Sequence, residues 1–286
     1  MRVDASPGGT LYEQHLRNAF PTHPYGQPVV GTMSDLEALG REEVADFYRR
    51  FYGPANAVLA VVGDVDPDEV EAWARGYLGR LPAGDRPPPV TVVEPEQAEE
   101  RRIHIPWDAE PLLRIGWRIP AADHPDAPAL ALLASVLTGG RTSRLHRRLV
   151  TDDAIATAAF ASTGPGSLYP GLFQIDATPV APATTADLER AIYDEVASLI
   201  EDGPSEEEIR RIRNQVAAGR VRRMQSNLGL AFQLAESASL FGDWEETFQV
   251  SERFLAIEAA DVRRVARQYL TVENRTVATL GREESR

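Results

Sequence analysis

The sequence predicts an α+β fold, with helices packed on one face of a mainly antiparallel sheet. Two observations predict it. Strand-like segments cluster just after a proline-rich stretch and long amphipathic helices follow them, and one helix–strand unit occurs twice.

The elements follow in order. Arg101 to Trp107 alternates, with Ile103 and Ile105 on one face, and Leu112 to Ile119 is a second strand. Ala127 to Leu137 is rich in alanine and leucine and reads as a buried helix. A second helix, Ser143 to Val150, starts after the Gly139-Gly140 turn. Ile155 to Ser162 and Leu172 to Thr178 are the next strands, separated by Gly164-Pro165-Gly166. Thr185 to Ile200 carries Leu188, Ile192, Val196 and Leu199 at helical spacing. The helix after it opens on a capping box, Ser205 to Glu208, and places Ile209, Ile212 and Val216 on one face. More helix fills Leu228 to Ala256 and Ala260 to Leu270, before a final strand.

That final unit has a counterpart near the start. Val262, Ala266 and Tyr269 lead into Asn274 and a strand closed by Gly281; Val44, Tyr48 and Phe51 lead into Asn56 and a strand closed by Gly63. The offset is 218 in both places (274 − 56 and 281 − 63), so the pattern predicts a duplicated domain rather than a solenoid. Between the copies, Pro82, Pro87-Pro88-Pro89 and Pro95 fit neither a helix nor a central strand and read as a semi-rigid linker. About 190 residues follow that linker and some 80 precede it, so the first copy is expected to be missing its opening portion.

Composition excludes whole classes of function. The chain has no cysteine, which removes disulfides, thiolate zinc sites, iron–sulfur clusters and cysteine nucleophiles. All 30 basic residues are arginine, so a Walker A loop, a Schiff-base lysine and a Ser-Lys dyad are excluded. A net charge of −13 opposes nonspecific binding to nucleic acid or anionic lipid. No apolar stretch is long enough to insert in a membrane and no signal core is visible; the compartment is undetermined.

Histidines His15, His23, His104, His124 and His146 never stand three or four residues apart, so no pair shares a helical face for a zinc ion. His104 is expected to face solvent on its strand, His146 to lie among arginines on an exposed helix face, and His124 to sit in a loop before Pro125. A lone histidine without an orienting partner reads as structural. Gly139-Gly140-Arg141-Thr142-Ser143-Arg144 reads as a helix-start turn rather than an anion cradle, and Glu206-Glu207-Glu208 as acids complementing a helix dipole.

Several ordered motifs nonetheless resemble one family. His23-Pro24-Tyr25-Gly26, Gly31, Phe51-Tyr52-Gly53-Pro54-Ala55-Asn56-Ala57 and Val61-Val62-Gly63-Asp64-Val65 are similar to the end of the first domain of the M16 zinc peptidases, the pitrilysin, insulinase and mitochondrial processing peptidase family. Leu137-Thr138-Gly139-Gly140-Arg141-Thr142-Ser143-Arg144-Leu145 and Gly203-Pro204-Ser205-Glu206-Glu207-Glu208-Ile209 resemble its second domain. The resemblance runs from about Tyr12 to Gly281.

It implies the LuxS/mitochondrial processing peptidase-like metallohydrolase fold, whose two homologous halves close like a clamshell. Residues 1–81 are then the tail of a first domain, 82–97 a linker and 98–286 a complete second, inactive domain. The family's H-x-x-E-H and distal glutamate would lie upstream of the matching segment, so no catalytic and no metal residue is assigned here. Zinc belongs to the complete family enzyme. An arginine and a tyrosine that contact substrate in the family fall at Val150 and Thr157, and neither side chain can donate to an oxyanion as those do. The expected role is a fragment or non-catalytic subunit lining a peptide chamber opposite the zinc. Its partner would be a zinc-motif chain or a second copy, and its substrate a peptide. The alternatives are a structural subunit resembling the core proteins of respiratory complexes, and a longer single-chain peptidase read from an internal start.

Overall fold

A computed structural model describes residues 6–282. Its helices are α1 (Pro7–Ala19), α2 (Met33–Ala38), α3 (Arg41–Phe51), α4 (Pro67–Leu78), α5 (Ala127–Thr138), α6 (Thr185–Asp202), α7 (Glu206–Met224), α8 (Asn227–Phe241), α9 (Glu246–Ala256) and α10 (Ala259–Tyr269). The strands are β1 (Arg101–Pro106), β2 (Leu112–Ile119), β3 (Ala156–Gly164), β4 (Gly171–Pro179) and β5 (Arg275–Gly281). His146–Asp152 is a π-helical segment.

Two compact units are present. Residues 6–27, 93–217 and 250–282 form a sheet unit; residues 28–92 and 218–249 form the other. The sheet has the order β1-β5-β2-β4-β3, and only β1 and β5 run parallel. This is the α+β arrangement the sequence predicts.

Strand β2 organises the unit through its alternation. Leu113, Ile115, Trp117 and Ile119 enter a core with α5, α6 and α10, whose inner faces present Leu133 and Leu137, Leu188 and Ile192, and Val262, Val265 and Ala266. Arg114, Gly116 and Arg118 point to the opposite face. Helix α1 lies there, so helices cover both faces rather than one. The Arg114 guanidinium sits 4.7 Å from the Tyr12 ring centroid, and Arg118 donates to the Ala19 carbonyl at 2.6 Å. Gly116 makes the approach possible: a Cβ there would lie 2.6 Å from His15 Cε1. Leu11 and Leu16 bury this helix against Leu280 and Leu172. These contacts are why residues 7–19 group with the sheet unit.

No helix or strand occurs from 82 to 97, as the prolines dictate. The end of this stretch is nevertheless anchored: the Glu94 carboxylate accepts from the Thr22 and His23 amides at 2.9 and 2.7 Å, and Gln97 donates to the Arg275 carbonyl at 2.7 Å.

The repeat is visible in three dimensions. Helices α3 and α10 match residue for residue at the offset of 218 (259 − 41 and 269 − 51). At the same offset, Glu43 accepts from the Gly40 amide at 2.5 Å and Asp261 from the Glu258 amide at 3.0 Å. Asn56 Nδ2 donates to the Phe51 carbonyl at 2.9 Å, and Asn274 Nδ2 to the Tyr269 carbonyl at 2.7 Å. The copies then diverge. Residues 275–281 form β5, whereas 57–63, expected to be a strand, run without strand pairing. The reason is pairing rather than propensity: β5 has neighbours on both sides, and 57–63 has none among the described residues.

Candidate functional site

The motif Gly139 to Leu145 closes α5 and turns into the π-helical segment. Gly140 takes φ 110°, which a side chain would resist, and Ser143 Oγ donates to its carbonyl at 2.6 Å. Arg144 then reaches α7. Its Nε and Nη2 meet both Glu208 oxygens at 2.8 and 3.0 Å, and Nη2 also donates to the Gly203 carbonyl at 2.9 Å. Burial alone would raise the Glu208 pKa; the paired Arg144 bonds and the Ser205 amide outweigh it and hold the carboxyl at about 2. The motif is thus a clamp that ties the start of one helix to the start of another. Glu208→Gln, which leaves the half-buried Arg144 charge with only the longer Glu195 contact at 3.5 Å, is expected to destabilise the sheet unit by about 1–3 kcal/mol in urea unfolding. A change below about 0.5 kcal/mol would show the clamp to be incidental.

The two positions marked in the sequence lie on neighbouring elements. Val150 is half-buried in the π-helical segment and packs on the helical-side core. Thr157 is exposed at the start of β3, where its hydroxyl donates to the Thr178 carbonyl at 3.3 Å. Strand β3 is the end strand of the sheet, with β4 as its pairing neighbour.

Sequence reasoning missed a groove on the α1 face. A hollow of ≈ 390 Å³ is lined by Gly8 and Leu11 of α1, Arg114 of β2, Phe160 of β3 and Asp176 of β4. Arg114 Nε donates to Asp176 Oδ1 at 2.5 Å across paired strands, and Phe160 stands exposed at the rim. An ion pair beside an apolar rim and an open strand edge suits an extended peptide, which brings both backbone polarity and side chains. The signal was available in β2, where Arg114 interrupts a run of core residues with period two. Helix α1 was not, because its contacts span most of the chain.

The histidines are engaged separately. His15 Nε2 is 3.2 Å from the Thr276 carbonyl; His23 Nδ1 accepts from the Tyr25 amide at 3.1 Å; His124 Nδ1 accepts from the Asp126 amide at 3.1 Å. His104 is exposed as expected and lies 3.0 Å from Thr279 Oγ1. His146 is half-buried rather than exposed.

A helix-backed, mainly antiparallel sheet of this order is an α+β domain. The family described as Peptidase M16 inactive domain matches residues 38–216, more than half of the chain, and the chain belongs to that family. The zinc protease PqqE of Helicobacter pylori is 26% identical over 290 residues, which is 94% of this chain and 61% of that protein. The chain therefore spans about three-fifths of the length of such curated relatives. The crystal structure of a protease from Helicobacter pylori superposes with a TM-score of 0.91 at 25% identity, over 98% of this chain and 68% of the other. A chain of Complex III2 from Candida albicans gives 0.79 at 16% identity, over 98% and 68%, a likeness of fold alone.

The relatives are named zinc proteases, and the described residues do not fit that ion. Among the described residues no three His, Cys, Asp or Glu side chains are grouped as a metal site, and four of the five rings face separate partners.

Proposed function

We propose that this chain is the non-catalytic part of an M16-type zinc peptidase and supplies the wall of a peptide chamber opposite a zinc-bearing lobe. In this reading residues 98–286 are the complete inactive domain, 82–97 the linker and 1–81 the tail of the active-type domain. The observation that carries it is the match to the inactive peptidase domain on a chain whose histidines are held apart by structural contacts. The groove beside β3 would receive the extended peptide, with the Arg114–Asp176 pair meeting its backbone and Phe160 its side chains.

The test is a mixing assay with unstructured peptides. The purified chain alone is expected to cleave none of them. Adding an H-x-x-E-H chain of the same family should give chelator-sensitive cleavage well above that of either component. Cleavage co-eluting with the chain alone would contradict this reading, as would a full set of zinc-motif chains that gain nothing from it.

The fold likeness to a Complex III2 chain supports a second reading, an assembly subunit that hydrolyses nothing. Stable association with a partner without cleavage in any mixture would favour it.

A further inference from the structure

One guanidinium on the helical side of the sheet unit has an edge that the protein does not use. Arg211 of α7 is half-buried. Its Nη1 donates to Thr142 Oγ1, in the turn after α5. Its Nε and Nη2 are screened from solvent and have no hydrogen-bond partner among the described residues. Those two atoms form the edge that takes both oxygens of a carboxylate side by side. Donors withdrawn from water without an acceptor are rare in folded proteins, and they call for a group that satisfies them.

The surroundings show what fills such an edge. Arg144 lines the same hollow, of ≈ 690 Å³, and presents the same pair of atoms to the two Glu208 oxygens at 2.8 and 3.0 Å. Among the described residues no acid does this for Arg211. Glu208 is committed to Arg144 and to the Ser205 amide, 2.8 Å away. Glu195 lies 3.5 Å from Arg144 and 3.9 Å from Arg148. Glu207 precedes Arg211 by one helical turn, a spacing that favours pairing, yet it is exposed and does not meet the edge. Arg147 also lines the hollow; it is 67% exposed and stands 3.9 Å from Asp152.

We propose that this hollow is a carboxylate-binding site. Arg211 Nε and Nη2 meet the two oxygens, and Arg147 supplies a second positive charge. Thr142, whose oxygen accepts from Arg211, keeps its own proton to donate. A phosphate dianion fits less well. Three arginines and three glutamates line the hollow, so a second negative charge gains nothing from the balanced lining and adds to the cost of desolvation. The hollow exceeds the size of a carboxylate, which leaves room for the rest of a small acid or the last residues of a peptide. It is built from α6, α7 and the π-helical segment with the turn before it, all of which pack on the helical-side core. The groove beside β3 lies on the α1 face, so the site does not depend on the proposed peptide chamber.

The arginine Nε–H signals of the full chain, read by proton–nitrogen correlation NMR, test this directly. The signal lost in Arg211→Lys identifies the edge. Acetate, or N-acetyl-alanyl-alanine with a free C-terminus, should move that signal to saturation, and the C-terminal amide of the same peptide should not. Tighter binding of acetate identifies a small acid as the ligand; tighter binding of the peptide identifies a peptide C-terminus. Arg211→Gln should weaken binding at least about tenfold, read on the Thr142 amide. Arg211→Lys keeps the charge and loses the fork, and should not restore it. Arg147→Gln alters an exposed side chain that the fold does not need, and should weaken binding about two- to fivefold.

An Arg211 signal that neither carboxylate moves would overturn the proposal. So would inorganic phosphate binding more tightly than acetate, or a peptide amide binding as well as the free acid. An Arg211→Gln chain that keeps the unfolding midpoint of the unaltered protein and binds acetate equally well would overturn it too. Should that variant unfold, undiminished binding by Arg147→Gln has the same force.

Discussion

Acid is expected to unfold the sheet unit through His15. This ring lies between α1 and the sheet, fully buried, with Nε2 facing the Thr276 carbonyl and Nδ1 facing no acceptor among the described residues. Burial is the largest influence on it and the Arg114 charge the next; both lower its pKa, the Thr276 carbonyl opposes them weakly, and the result is about 3. The sign follows directly. The unfolded chain takes up a proton at His15 below about pH 6.5, and the folded chain does not until about pH 3, so the unfolded state binds more protons throughout that window. Stability is therefore complete above pH 6.5 and falls as pH falls, by up to about 1.4 kcal/mol per unit from this group. His23 is also shifted downward by burial and adds to the same trend. Denaturant unfolding from pH 8 to pH 5, before ordinary carboxylates titrate, should show the slope, and His15→Leu should remove most of it. An unaltered slope in His15→Leu would mean that α1 does not hold this ring against the sheet.

Phe173→Ala is expected to be as damaging at neutral pH. Phe173 opposes Trp117 across the β2–β4 pairing with ring centroids 6.3 Å apart, and both are buried in the helical-side core. Truncation there loses the transfer energy of the ring and leaves a cavity that a sheet clamped under α5, α6 and α10 cannot close, about 3–5 kcal/mol together. On a unit of this size each kcal/mol lowers the melting temperature by roughly 2–4 °C. Phe160→Ala, at the exposed rim of the groove, supplies the control and should change stability by no more than about 0.5 kcal/mol. Equal effects of the two variants in thermal unfolding would contradict the placement of the core.

Much of the sheet unit is written locally. Strand β2 matches its predicted limits, Leu112 to Ile119, because alternation between a core face and a polar face leaves little freedom in register. Helix α5 is apolar around much of its surface and α6 has a clear stripe, so both are read to within two residues at each end. The difficulties lie where structure depends on distant partners. Residues 57–63 have the composition of a strand and do not form one, because a strand is defined by its neighbours. His15 carries no local mark of being buried; its hydrogen-bond partner Thr276 is 261 residues away. The compact units follow that same logic, joining residues 6–27 to the sheet across a proline-rich stretch that composition alone reads as a boundary. The candidate groove was half legible, since Arg114 stands out in β2 but nothing in β4 announces that Asp176 will face it.

The account rests on the separation of peptide wall from metal centre. Elemental analysis of the purified chain, and of each zinc-motif partner before and after mixing, measures that separation directly. It predicts no stoichiometric zinc on this chain and about one zinc per partner chain, carried unchanged into the complex. One tightly held zinc per copy of this chain, before any partner is added, would contradict it.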